Sequence, residues 1–74
     1  MSWRDRISVD PDVCHGQACI RGTRVMVTVV LDNLAARESA ESVAASYRIT
    51  LEDVQAALQY AAELAKERFI PLSA

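Results

Sequence analysis

Val27 divides the chain into two kinds of sequence. Before it, "RISVD" alternates polar and apolar side chains, "DPDVCHGQ" gathers Asp, Pro and Gly as a loop does, and "ACIRGTRVMV" reads as two short strands around a turn. After it, Val27, Val30, Leu31 and Leu34 recur at i, i+3, i+4 and i+7, which places them on one face of a helix. One switch from the strand period to the helix period predicts a β-arm over about residues 5–27 and a helical unit over about residues 27–68.

Boundary signals divide the helical part. The first helix should run from about 27 to 37. Ser39 is suited to cap a short second helix, in which Val43, Ala44 and Tyr47 share a face and which should end near Tyr47. "TLED" at 50–53 offers the sharpest start: the Thr50 hydroxyl can accept from the Asp53 N–H while the Asp53 carboxylate reaches back. Glu52 and Asp53 also suit the positive end of a helix dipole. From there Leu51, Val54, Leu58, Ala61 and Ala65 repeat at helical spacing, Ala57 and Leu64 widen the stripe, and the helix should stop before Pro71. The fold class expected is mostly α, a short β-arm followed by a trihelical helix-turn-helix unit in a single domain over residues 1–74.

Size limits what such a chain can do. A domain of 74 residues buries only about 60% of the surface its unfolded chain exposes, so a partner that covers more is a natural expectation. Trp3, Phe69, Ile70 and Leu72 lie at the two ends, where little core remains to cover them, and are the candidates for a homodimer interface. The start "MSWRDRIS" has no apolar core of a signal peptide, and no run reaches the roughly 18 apolar residues of a membrane span. The sequence therefore predicts a soluble, cytoplasmic protein with no membrane partner.

Metal and catalytic chemistry find few residues to work with. Cys14 and Cys19 flank His15, but they and that one histidine fall short of the about four ligands of a structural zinc. Small thiols in a reducing compartment are the simpler reading. His15 has no neighbouring nucleophile with a third group to orient it, and a chain this short can hardly build a deep pocket, so neither catalysis nor a cofactor is expected.

Charge points to the arm instead. The net charge of −2 is too acidic for a nonspecific nucleic-acid binder, yet residues 1–37 hold five arginines against four aspartates. Gly22 supplies the positive φ that a tight turn demands, with Arg21 and Arg24 beside it. Arginine forks suit an acidic pocket or DNA phosphates, and they serve equally well as an internal clamp on backbone carbonyls or on Asp10. Both uses remain open for Arg21 and Arg24. Thr23 reads as structural, its hydroxyl holding the turn. Were the third helix a DNA reader, Glu52 and Asp53 would meet phosphates with the wrong sign. DNA contact is better placed on Arg4, Arg6, Arg21 and Arg24.

"ISVDPDVCHGQACIRGTRVMV" followed by "LDNLAARESAESVAASYRITLEDVQAALQYAAE" resembles the domain-of-unknown-function 433 family, with Asp10-Pro11 and Gly22-Thr23-Arg24 as the most specific parts. Ala18 and Met26 stand where that family often has proline, and Arg37 where a glycine commonly closes the first helix. The resemblance implies a homeodomain-like three-helix fold with a β-arm. It further implies the antitoxin half of a toxin–antitoxin pair, partnered by a PIN-like nuclease and with no catalytic residue of its own. The interaction turn expected is then Arg21, Gly22, Thr23 and Arg24, with operator DNA as a second partner for autoregulation. A stand-alone DNA-binding regulator and a structural dimerisation module are the rival functions.

Overall fold

The computed structural model describes residues 3–67. After a 3-10 turn at Trp3–Asp5, β1 (Ile7–Val9) pairs antiparallel with β2 (Ala18–Ile20), Ile7 opposite Ile20 and Val9 opposite Ala18. Ile7 and Ile20 are both buried, so the register carries one apolar pair of the arm into the core. The connecting loop turns first at Asp10, whose carboxylate accepts the Asp12 N–H at 2.8 Å. It then passes through Cys14, His15 and Gly16, all with positive φ (52°, 54° and 80°).

The expectation of two strands around the Arg-Gly-Thr-Arg turn holds only for the first of them. β2 has β1 along one edge. On its other edge the returning chain makes a single bridge, Met26 opposite Cys19, and one bond from the Ile20 N–H to the Val25 carbonyl at 2.8 Å. The return is this short because Met26 already caps α1 (Val27–Ala35). Met26 keeps a φ of −75°, close to the value a proline ring would fix, so the backbone there persists without the proline.

α1 ends two residues before the expected position. Arg37 takes a φ of 71°, its N–H returns to the Leu34 carbonyl at 3.0 Å, and the Glu38 N–H returns to Asn33 at 3.0 Å. This is the Schellman closure normally made by glycine, formed here on an arginine. α2 (Ala40–Tyr47) starts at Ser39, whose hydroxyl accepts the Ser42 N–H at 3.0 Å, and ends at Arg48 with φ 57°. α3 (Leu51–Glu67) begins with the reciprocal cap: Thr50 N–H to Asp53 Oδ2 and Asp53 N–H to Thr50 Oγ1, each at 3.0 Å. Three helices behind a short two-stranded hairpin are thus the observed architecture.

Ile7 and Ile20 from the arm, Val27 and Val30 from α1, Val43 from α2 and Val54, Ala56 and Ala57 from α3 form the buried core. Here the apolar stripe read along α3 divides. Val54 and Ala57 face inward, whereas Leu51 and Leu58 remain 50% and 41% exposed and Ala65 is exposed. The alanines at 56 and 57 explain the choice, since their small side chains let α3 lie close against α1 and α2 while the leucines would hold it off. Trp3 packs back on its own domain, edge-on to Tyr60 with ring centroids 5.2 Å apart. Phe69, Ile70 and Leu72, the other dimer candidates, lie outside the described residues. No helix among the described residues is long and apolar enough to cross a membrane.

Candidate functional site

The turn between β2 and α1 is built from its backbone outward. The Thr23 N–H bonds the Ile20 carbonyl at 3.0 Å, enclosing Arg21 and Gly22, and Gly22 takes a φ of 80° in the third position of the turn. That position in a type II turn favours glycine. Thr23 locks the exit: its hydroxyl donates to Ile20 O at 2.8 Å and accepts the Val25 N–H at 3.0 Å. The structural role read for Thr23 is the one observed.

The arginines separate by job. Arg21 folds back toward the start of the arm, where Nε donates to Asp5 O at 3.1 Å and Nη2 donates to Arg4 O at 3.1 Å and Ile7 O at 3.0 Å. It is the internal clamp, closed on carbonyls and not on Asp10. Arg6 also turns inward, its Nη1 lying 3.0 Å from Asp53 Oδ1 at the start of α3. Arg4 stacks over Trp3, its guanidinium carbon 4.6 Å from the ring centroid. Arg24 is exposed, and its guanidinium makes no hydrogen bond or ion pair with the described residues.

Arg24 shares an open depression of about 590 Å³ with Ser8, Asp10, Val13, Arg21, Gly22 and Thr23. All four residues of the expected interaction turn therefore meet at one surface, while Arg4 and Arg6 do not line it. Asp10, which the sequence offers as a neighbour of one of these arginines, lies at the same surface, and nothing in the sequence marks Ser8 or Val13.

The two cysteines underpin this surface. Cys14 Sγ donates to Arg24 O at 3.5 Å, and Cys19 Sγ donates to Thr23 O at 3.7 Å. Both are free thiols. Burial pushes the Cys14 thiol up and the Cys19 thiol beside it adds to the rise, against the Arg24 charge. Cys14 thus stays protonated at neutral pH and remains a weak donor to the turn. Among the described residues no group of three or more His, Cys, Asp or Glu side chains is placed to hold a metal ion.

The family described as "Protein of unknown function (DUF433)" matches residues 7–61, from β1 into the second half of α3. The chain belongs to the DUF433 family. A DUF433 member from Anabaena variabilis, known from a crystal structure, is 31% identical with a TM-score of 0.77, over 86% of this chain and 64% of that one. Rv2018 from Mycobacterium tuberculosis is also 31% identical, with a TM-score of 0.68 over 77% of this chain. The present chain spans 64% and 27% of the lengths of these two proteins. No curated protein matches it. Within the DUF433 fold, the Gly22-Thr23-Arg24 motif occupies the turn where Gly22 sets the backbone, Thr23 fixes it and Arg24 is exposed at its exit.

Proposed function

We propose that this DUF433 domain is a non-catalytic binding module, the antitoxin-like partner of a PIN-like nuclease, and that it engages the nuclease through the turn carrying Arg24. One observation carries the reading: Arg21 is committed to three carbonyls of its own chain, while Arg24, two residues beyond Gly22, is exposed, bonds no described residue through its guanidinium and lines an open depression. A rigid turn with such an arginine suits a carboxylate-lined catalytic pocket, because the guanidinium fork pairs with carboxylate in bidentate fashion and loses little freedom on binding. The family resemblance supplies the class of partner.

Co-expression with the protein encoded beside it, followed by size-exclusion chromatography with light scattering and a growth assay, tests the proposal. A complex that relieves growth arrest and that Arg24→Ala weakens, without loss of fold, is the expected result. A harmless neighbour that forms no complex overturns it. DNA-linked autoregulation is the secondary part of the proposal. Since Asp53 and Glu52 occupy the first turn of α3, phosphate contact belongs to the arm face, and binding to the promoter should fall steeply with salt and weaken in Arg24→Ala.

A further inference from the structure

The outward face of α3 carries a seam. Leu51, Gln55, Leu58, Ala62 and Ala65 are all exposed, and they follow one another at alternating spacings of four and three residues. This is the spacing of a and d positions in a helix that packs on another helix. The five side chains fall within a narrow arc of the helix that faces away from the buried Ala56 and Ala57 and is bordered along one edge by the buried Val54. Leu51 and Leu58 keep about half their surface open to solvent among the described residues, and α3, with 17 residues, is about 25 Å long.

We propose that this seam pairs with the same seam of a second copy of the chain, antiparallel about a two-fold axis midway between Leu58 and Ala62. Two features of the face select that occupant and that direction. Its first half is bulky (Leu51, Gln55, Leu58) and its second half is small (Ala62, Ala65), so only an antiparallel pair sets large against small: Leu58 against Ala62 of the other copy, and Gln55 against Ala65. Charge runs the same way. Glu52 and Lys66 stand on one flank of the seam, in the first and last turns of the helix. An antiparallel pair places each Glu52 beside the other copy's Lys66, whereas a parallel pair would set this flank against the opposite one, where Val54 and Ala61 lie, and form no such ion pair. Antiparallel helix dipoles add to the preference. Lys66 now lies 3.7 Å from Glu63, but this pair is 73% and 45% exposed and holds it weakly. The pairing is isologous, since each residue pair occurs twice. It uses a face apart from the Arg24 turn, so it can fail while the nuclease reading stands, and the reverse.

Sedimentation equilibrium of the full chain over a wide concentration range reads the pairing directly. The wild type should reach twice the chain mass. Leu58→Glu should raise the dimer dissociation constant on the order of a hundredfold, because two leucines leave the seam at once, and its circular dichroism should be unchanged since Leu58 is already half exposed. Lys66→Glu should weaken the dimer roughly tenfold, and Glu52→Lys with Lys66→Glu should restore it. A chain that stays monomeric at every concentration overturns the proposal. So does a dimer indifferent to Leu58→Glu, or a double charge reversal that restores nothing. If instead Leu58→Glu abolishes capture of the nuclease while the wild-type chain alone is monomeric, the seam belongs to the nuclease and self-pairing is refuted.

Discussion

Arg6 and Asp53 stand 47 residues apart in sequence and meet at 3.0 Å, joining the arm to the first turn of α3. The same carboxylate caps the helix, Oδ1 taking the guanidinium and Oδ2 the Thr50 N–H. Partial burial pushes the Asp53 carboxyl up, but the Thr50 N–H, the Arg6 guanidinium and the Thr50 hydroxyl together hold it below the ordinary 3.8. A carboxyl depressed in the folded state contributes stability that is fully present above its unfolded value and is lost as pH falls through the folded one. Urea unfolding at stepped pH should therefore show the wild-type advantage over Asp53→Asn constant near neutrality and shrinking below about pH 4. An advantage that grows on acidification contradicts the assignment.

Arg21 and Arg24 should separate cleanly on mutation. Arg21→Ala removes three bonds to carbonyls on a partly solvated surface and should destabilise the fold by about 1–2 kcal/mol. Arg24→Ala should change stability by less than about 0.5 kcal/mol and act on partner capture alone. Thermal unfolding and a pull-down on the same pair of variants check both halves. Equal effects on stability would remove the distinction between clamp and contact.

Gly22 and Arg37 make opposite predictions about one region of backbone. At Gly22 a Cβ would meet nothing within 4 Å, so Gly22→Ala is disfavoured by the 80° φ alone and should cost about 1 kcal/mol. At Arg37 the strain already exists. Arg37→Gly should raise the unfolding free energy by about 0.5–1 kcal/mol, since glycine takes a φ of 71° without steric penalty. Differential scanning calorimetry of the two variants should move the melting temperature in opposite directions.

Local chemistry made much of this fold legible. Ser39 and the Thr50/Asp53 reciprocal cap act within four residues, so the starts of α2 and α3 could be read from the letters, as could the turn at Gly22. Tertiary choices were not legible in the same way. Either arginine beside Gly22 could have been the clamp, and which one turned inward depended on the carbonyls of Arg4, Asp5 and Ile7 converging beside Arg21. In α3 both faces carry apolar residues at helical spacing, so periodicity alone could not tell that the small residues Ala56 and Ala57 would be buried and Leu58 left outside. Arg6 read as a surface cation because its partner lies at the far end of the chain.

That distance has a kinetic consequence. The caps and turns of the helices close over short loops, while the tie between Arg6 and Asp53 closes a loop of 47 residues, whose entropy must be lost before the contact stabilises anything. The arm should therefore dock after the folding transition state. In a chevron, Arg6→Ala should steepen neither limb and leave the refolding rate near wild type while unfolding quickens, the signature of a latch fastened last and released first.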